Sequence, residues 1–270
     1  MLHEIKKSLP TSEQIALVNM ERLRNNPYPG RGIVMGFDAE GKTAIQIYWV
    51  MGRSKNSRNR KLVLKDGVVK TVPFRKRLVE DPSLIIYNAM RSINGAHIVT
   101  NGHQTDALFE GIKNEEHFPD VLSQWSEEPD KPNYTPRISG IVFPKKTSAW
   151  SGDTSSMVFS EIRRSRSGQT IHEYYPYNSG ILPGFGKCIH TYEGDGKPLP
   201  SFRGNPYSVL LEGSIDQIAK TYWDLLDKNN RVALAVKTID LESGDVDYRI
   251  INKLSILHPR AVLVFQFSRN

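Results

Sequence analysis

Short apolar runs separated by turn residues fill most of the chain and limit the folds it can adopt. Residues 33–37 and 43–51 are rich in Ile, Val, Tyr and Trp, and Gly41 lies in the turn between them, which predicts a β-hairpin. Residues 62–64 and 68–72, around an Asp-Gly pair, predict a second hairpin. Further strands are predicted at residues 84–90, 97–100, 138–143, 158–162, 170–174, 188–192, 231–238, 247–254 and 261–267.

Helix signals are fewer than strand signals. Thr11 with Gln14, and Ser214 with Gln217, have the capping-box spacing that predicts a helix start, the second helix ending near Leu226. Two further helices are predicted, one capped by Thr105 or Asp106 and running through Ile112, the other over residues 118–125. Hairpin-linked strands with few helices predict an α+β fold with mostly antiparallel sheets.

The length of 270 residues fits one large domain. Residues 25–30 break the helical pattern, so residues 1–26 are predicted to form a helical N-terminal appendage and the body to begin near Tyr28. We therefore expect a single domain over residues 1–270.

Composition restricts the partners of the chain. The formal charge of +7 favours anionic partners, and nucleotide, nucleic acid and acidic surface all remain open. Cys188 is the only cysteine, which excludes an intrachain disulfide and a cysteine-based metal cluster. Its place in an apolar run predicts a core residue. The N-terminus lacks the apolar core of a signal peptide, and no window has the apolar length of a membrane span, so we expect a cytoplasmic protein without a membrane partner.

The stretch over residues 48–61 has the strongest functional signal. Its apolar run stops at Gly52, and the cations that follow are interleaved with Ser and Asn. These cations are Arg53, Lys55, Arg58, Arg60 and Lys61. Arginine presents a rigid donor fork that matches phosphate or carboxylate. A phosphorylated small molecule, nucleic acid and a solvated basic turn all remain open readings of this loop.

Three other polar stretches are prominent: Tyr87-Asn88, residues 100–106 and residues 128–137. The chain has no GxxxxGK[ST] loop, GxSxG elbow, HExxH helix or dinucleotide-binding glycine fingerprint. His97 and His103 are the only close histidine pair, and no third ligand is evident, so no metal site is predicted.

Taken in order, the polar stretches resemble the archaeal-type IMP cyclohydrolase family. The matching pieces span residues 28–240 and are Tyr28-Pro29-Gly30-Arg31, Arg53-Ser54 with Asn59-Arg60, Tyr87-Asn88 with Arg91, Asn101-Gly102 with Thr105-Asp106, Thr135-Pro136-Arg137-Ile138 and Thr191-Tyr192-Glu193. The resemblance implies the four-layer αββα sandwich of N-terminal-nucleophile hydrolases. It also implies that this fold works without a processed nucleophile, since no Cys, Ser or Thr begins the first strand near Tyr28.

The resemblance further implies an activity. The family closes 5-formamidoimidazole-4-carboxamide ribonucleotide to inosine monophosphate (IMP) with loss of water, and we expect a purine-precursor ribonucleotide as partner, no cofactor, no metal and a homotetramer. It assigns catalysis to Arg60, Tyr87 and Glu128, with Glu127 as a rival to Glu128. It assigns substrate binding to Arg53, Asn59, Asn88, Asn101, Gly102, Asp106 and Arg137.

The chain also departs from the family pattern, in the N-terminal appendage, in extra residues within 54–58 and in an insertion around residues 150–186. These differences leave open a related amide hydrolase or cyclase that acts on another nucleotide-like substrate. Nucleic-acid binding through the basic residues is a third reading. It is disfavoured, because the aromatic residues are not interleaved with the basic ones as a stacking platform requires.

Overall fold

The computed structural model describes residues 9–79, 82, 85–144, 156–178 and 180–256. These residues form two sheets in which all neighbouring strands are antiparallel. In order across the first sheet, the strands are β11 (Tyr207–Leu210), β10 (Phe185–His190), β1 (Gly32–Phe37), β2 (Thr43–Met51), β12 (Arg231–Asp240) and β13 (Val246–Asn252).

The second sheet is a meander that follows chain order. Its strands are β3 (Arg60–Lys65), β4 (Val68–Pro73), β5 (Asn88–Ile93), β6 (Ala96–Thr100), β7 (Arg137–Phe143), β8 (Ser156–Arg164) and β9 (Thr170–Tyr177). The helices are α1 (Ser12–Arg24), α2 (Lys55–Arg58), α3 (Gln104–Lys113), α4 (Phe118–Ser123), α5 (Ile215–Leu225) and α6 (Lys253–Ile256), with a short 3₁₀ helix over Lys76–Leu78. Among the described helices, none is both long and apolar enough to cross a bilayer.

Apolar side chains that alternate between the two faces of the strands form three apolar layers. In β2, Tyr48 packs between the two sheets with residues such as Phe159, while Trp49 packs on the other side with Tyr222 of α5. The outer face of the second sheet, for example Ile98, packs against α3 and α4. Because successive strand residues point to opposite faces, one sheet can bury both of its sides. The resulting order is helices, sheet, sheet, helices, which confirms the predicted α+β sandwich with mostly antiparallel sheets and is compatible with the N-terminal-nucleophile hydrolase fold.

The first predicted helix packs onto the body of the protein. Leu23 of α1 lies in the outer cluster of the first sheet, and Asn19 Nδ2 donates to the Ser208 carbonyl at 2.9 Å, beside β11. Both predicted capping boxes are present, with Thr11 and Ser214 each bonded to the residue three positions on. The single-domain boundary stays a prediction.

Other predicted elements are wrong in detail. The strand predicted at residues 84–90 begins only at Asn88, because the amides of Ile85 and Ile86 turn back to the Pro82 carbonyl. Thr105 does not cap α3; its hydroxyl donates to the Gly102 carbonyl, and α3 begins before it. The basic stretch contains α2 rather than an open loop, since Ser54 and Ser57 form a capping box. The strand predicted at residues 261–267 lies outside the described residues.

Candidate active site

A polar cleft of about 320 Å³ opens at one end of the sandwich, and both sheets contribute to it. Its walls come from the residues before β1, the end of β2, α2, the start of β3 and the loop before β7. The lining residues include Tyr28, Gly30, Arg31, Met51, Arg53, Ser54, Asn56, Ser57, Arg60, Glu128, Asp130, Asn133, Thr135 and Tyr192. Antiparallel pairing of β1 with β2 brings the start of one beside the end of the other.

A buried ion pair lies in this cleft. Arg31 Nη2 is 3.0 Å from Glu128 Oε2, and both side chains are almost wholly buried. Burial raises the pKa of Glu128, while Arg31 and Arg137 oppose that rise. Burial also disfavours the charge on Arg31, but Glu128 outweighs it, so the pKa of Arg31 lies above its usual value. The site therefore keeps a fixed cation beside a carboxyl group whose proton affinity is increased.

The two neighbouring glutamates point to different surroundings. Glu128 lines the cleft, and its backbone amide donates to the Thr135 carbonyl at 2.9 Å. Glu127 instead accepts from Arg164 Nη1 at 3.2 Å and from the Thr170 hydroxyl at 2.8 Å, beside β8 and β9. Of these two glutamates, Glu128 lines the cleft and Glu127 does not.

Arg60 is held by backbone carbonyls at the first position of β3. Its Nε donates to the Ser57 carbonyl at 2.8 Å and its Nη2 to the Met51 carbonyl at 3.2 Å. The side chain is 5% exposed and lines the cleft. Since guanidinium has five N–H donors, two bonds orient the group without using its whole donor capacity.

Arg53 lies at the mouth of the cleft. Its guanidinium is 5.0 Å from the centre of the Tyr28 ring, which stacks on Tyr192 at 5.9 Å. Arg53 Nη1 also donates to the Asp195 carboxylate and, at 2.9 Å, to the Gly196 carbonyl. Arg53 thus joins the start of α2 to the segment after Tyr192.

Tyr87 is buried next to this site and is hydrogen-bonded to a second tyrosine. The hydroxyl oxygens of Tyr87 and Tyr48 are 2.6 Å apart. Burial and the neighbouring Tyr87 raise the pKa of Tyr48 well above its usual value, so Tyr48 keeps its proton. Both phenols interact electrostatically with Arg31, which places the pair close to the Arg31–Glu128 contact.

Gly102, Arg137 and Asn101 lie behind the cleft wall. A Cβ on Gly102 would lie 2.7 Å from Gln104 Oε1, 2.9 Å from Arg137 Nη1 and 3.5 Å from Glu128 Oε1, so glycine lets these side-chain ends keep their present positions. Arg137 donates from Nε to the Ser126 carbonyl at 2.7 Å, and burial lowers its pKa. The Asn101 side chain donates to the Pro136 carbonyl and accepts from the Ile138 amide, which supports the turn into β7.

The remaining predicted residues lie away from the cleft. Asn59 bonds both the amide and the carbonyl of Arg75 through its side chain. Asn88 Nδ2 donates to Asp106 at 2.9 Å, and Arg91 Nη1 donates to the same carboxylate at 2.7 Å. Asn88, Arg91 and Asp106 line a separate depression of about 290 Å³. The Asp106 carboxylate thus accepts from both the Asn88 amide and the Arg91 guanidinium there.

Arg31 is the principal cleft residue to which the sequence reading assigned no role. The sequence signal for it is the Tyr28-Pro29-Gly30-Arg31 piece, which matches the family pattern but carries no catalytic residue type other than Arg31 and Tyr28. Gly30 has φ of +73°, and a Cβ there would lie 2.2 Å from Thr191 Oγ1, so glycine permits the turn that aims Arg31 inward.

Fold and site together define a four-layer αββα protein with an arginine-rich cleft that contains a buried carboxyl group. The chain belongs to the IMP cyclohydrolase-like protein family, whose model matches residues 28–244. It is also 26% identical over 229 residues to a protein named IMP cyclohydrolase from Haloquadratum walsbyi (strain DSM 16790 / HBSQ001); the match covers 83% of this chain and 98% of that protein. These matches confirm the resemblance read from the sequence.

Proposed function

We propose that this chain is an IMP cyclohydrolase, which closes 5-formamidoimidazole-4-carboxamide ribonucleotide to IMP with loss of water. The observation that carries the proposal is the buried Arg31–Glu128 pair in a cleft that Arg60 also lines. Family membership supports the same reaction class. A cleft of this kind offers charged donors for carbonyl oxygens and a carboxyl group for proton transfer.

The reaction makes specific physical demands. The carboxamide nitrogen attacks the formyl carbon of the formamido group on the adjacent ring atom, a carbinolamine forms, and hydroxide leaves with a proton as water. Both reacting groups belong to one molecule, so the enzyme must select the rotamer in which nitrogen and carbon meet at near-attack distance. It must also stabilise the developing oxygen charge and move protons. One oxyanion donor contributes about 10²- to 10³-fold, and one general acid or base about 10²- to 10⁴-fold.

In the proposed mechanism, Glu128 accepts the proton from the attacking carboxamide nitrogen. Its raised pKa suits that task, because a base works best when its pKa is near the working pH. Arg60 donates to the oxygen on which negative charge develops. Tyr87 delivers a proton to the leaving hydroxyl, and Tyr48 is placed to donate to Tyr87 as it does so.

Arg53 is proposed to hold the ribose phosphate at the cleft mouth. The Arg53 side chain is 30% exposed, whereas Arg60 is buried, and the Asp195 side chain that it contacts is half-exposed, so a phosphate can replace that carboxylate. Arg137 and the turn at Asn101 and Gly102 support Glu128 from behind. Asn59, Asn88 and Asp106 have no role in the proposed mechanism.

One observation favours a second candidate, a cyclase or amide hydrolase for another nucleotide-like substrate. Ser54, Asn56 and Ser57 line the cleft, and they lie in the segment where the chain departs from the family pattern. Polar groups at a cleft wall select substrates by hydrogen bonds, so an altered segment can alter the substrate.

The test is to incubate the purified chain with 5-formamidoimidazole-4-carboxamide ribonucleotide and to quantify IMP by chromatography. We expect IMP to form, and Arg60→Ala and Tyr87→Phe each to lower kcat by at least about 10-fold, within the range for lost donors and acids. Lys55→Ala is the matched control, since Lys55 is exposed and does not line the cleft. Full activity in both Arg60→Ala and Tyr87→Phe would remove the proposed roles, and no IMP from the wild type would favour the second candidate.

A further inference from the structure

A second polar cluster lies at the opposite end of the layer between the sheets. Lys237 of β12 is paired with Gln46 near the start of β2, whereas the cleft lies at the end of β2. The Lys237 side chain crosses toward the second sheet and meets Ser92 of β5 and His97 of β6. None of the three lines the cleft, so the proposed cyclohydrolase mechanism leaves this cluster without a task.

The three side chains form a closed triangle of hydrogen-bonding distances. Lys237 Nζ is 2.6 Å from Ser92 Oγ and 2.8 Å from His97 Nδ1, and Ser92 Oγ is 3.1 Å from His97 Nδ1. Lys237 is fully buried, while Ser92 is exposed at the surface of the sheet. The hydroxyl of an exposed serine therefore lies directly on a desolvated amine.

Lys237 has no carboxylate partner among the described residues. Burial lowers the pKa of Lys237 to about 7, so an appreciable fraction of the amine is neutral near neutral pH. A neutral amine has a lone pair that accepts the proton of a hydroxyl, and a nearby base is what a serine needs to become a nucleophile.

The other groups that face Lys237 do not compete for this proton. On β6, burial and the charge of Lys237 lower the pKa of His97 to about 2, so the imidazole stays neutral and accepts from Lys237. On β13, the Tyr248 ring lies 5.7 Å from Lys237 Nζ, and burial raises the pKa of Tyr248 to about 12. On β2, Gln46 Nε2 donates to the His97 carbonyl at 2.9 Å and fixes the histidine.

We propose that Ser92 and Lys237 form a second nucleophilic site, which takes the acyl group of small activated carboxylic esters. Ser92 Oγ attacks the ester carbonyl, and its proton passes to the lone pair of Lys237. That attack forms the O–acyl bond on Ser92. The tetrahedral adduct then breaks the ester C–O bond, and the departing alkoxide or phenolate takes the proton from Lys237, leaves as alcohol or phenol and returns the amine to its neutral form. Water releases the acid in a second step, with the lysine again accepting a proton. His97 is a positioning residue that orients Lys237.

The test uses p-nitrophenyl acetate with the full chain. The rate of acetylation at Ser92 is followed by peptide mass spectrometry with fragmentation, alongside p-nitrophenolate release. Ser92→Ala removes the nucleophile, and Lys237→Met replaces the amine by an apolar chain of similar length. Ser123→Ala is the matched control, because Ser123 is exposed and its hydroxyl donates only to the Asp120 carbonyl in the described structure.

We expect acetyl on Ser92 of the wild type, an about 10²-fold slower reaction in Lys237→Met, as for loss of a general base, and no change in Ser123→Ala. The wild-type rate should rise with pH around a midpoint near 7, a readout that needs no variant to fold. If Lys237 only stabilises the packing of the two sheets, Lys237→Met would change the melting temperature, and Ser92 of the wild type would not be acetylated. The proposal is overturned if Ser92 reacts no faster than Ser123, if Lys237→Met is folded and reacts as fast as the wild type, or if the wild-type rate follows hydroxide alone with no midpoint.

Discussion

Glu128 and Glu127 are adjacent in sequence and both buried, yet of the two only Glu128 contacts Arg31. A carboxyl group that is buried beside one fixed cation is suited to proton transfer, whereas Glu127 is engaged by Arg164 and Thr170. The chemistry of the cleft therefore depends on which of two similar side chains faces inward.

Glu128→Gln should abolish most IMP formation while the matched variant Glu127→Gln keeps it. Glutamine preserves the shape but cannot accept the proton, so kcat should fall by about 10²- to 10⁴-fold. The measurement is steady-state IMP formation at saturating substrate, with the melting temperature of both variants as the check on folding. Equal loss in the two variants would contradict the role of Glu128.

The buried carboxyl group of Glu161 predicts how the stability of the protein depends on pH. It is fully buried on β8, its two carboxylate oxygens have no hydrogen-bond partner among the described residues, and Arg163 Nε is 3.5 Å away. Burial raises its pKa to about 8. The native state thus binds this proton more strongly than the unfolded chain, and the stability it gives is present at acid pH and lost as pH rises toward 8.

We expect Glu161→Gln to flatten the pH dependence of the unfolding free energy. Between about pH 5 and 8 the wild type should lose up to about 1.4 kcal/mol per pH unit from this group, and the variant should not. Urea titrations across that range measure the slope. Glu110→Gln, at an exposed position on α3, is the control, and parallel slopes for all three proteins would contradict the prediction.

At the scale of elements, α5 shows how a local signal stabilises a helix. The Ser214 hydroxyl accepts from the Gln217 amide at 3.3 Å, and the Gln217 side chain accepts from the Ser214 amide at 2.7 Å. These bonds satisfy two backbone donors that a helix start leaves free. The apolar face of α5, including Ile218 and Tyr222, then packs on the first sheet.

Ser214→Ala should lower the free energy of unfolding by about 1 kcal/mol, the usual cost of losing an N-cap. Ser243→Ala serves as the comparison. Ser243 lies in the exposed turn between β12 and β13, where its hydroxyl accepts from the Asp245 amide at 3.1 Å but caps no helix, so the change should alter stability by less than about 0.5 kcal/mol. Chemical denaturation of both variants gives the difference. The capping interpretation fails if Ser214→Ala unfolds at the wild-type denaturant concentration.

At the scale of the whole molecule, the cleft joins the two sheets. Arg31 and Met51 belong to the first sheet and its approach, while Arg60 begins the second. A ligand that binds there contacts both halves of the sandwich, so its binding energy adds to the stability of the complete fold and not to one element.

IMP at 100 times its Kd should therefore add about 2.7 kcal/mol to stability and raise Tm by several degrees. Inosine, which lacks the phosphate, should raise Tm much less at the same concentration, because it cannot make the proposed phosphate contact with Arg53. Differential scanning calorimetry measures both shifts. Equal shifts for IMP and inosine would show that Arg53 does not hold the phosphate.

The predictable part of this protein rests on short-range physics. Both capping boxes, the hairpins at Gly41 and around Asp66-Gly67, and the alternation of β2 follow from a few neighbouring residues. Fold class followed from the number of hairpins, and the family match agrees with the polar pieces quoted from the sequence. The predicted start of β5 was too early, because the turn at Pro82 takes up the apolar run on which that prediction rested.

The composition of the site was decided by tertiary structure. Tyr87 and Asn88 are neighbours, but Tyr87 packs in the layer between the sheets and Asn88 bonds Asp106 of α3 on the outer side. Arg31 and Glu128 are 97 positions apart and meet only because the loop before β7 folds over the start of β1. Sequence by itself determined the elements, the fold class and the pool of polar residues, because local hydrogen bonds and alternation act within a few positions. Only sheet register and packing decided which of those residues share the cleft, since those forces act between segments far apart in the chain.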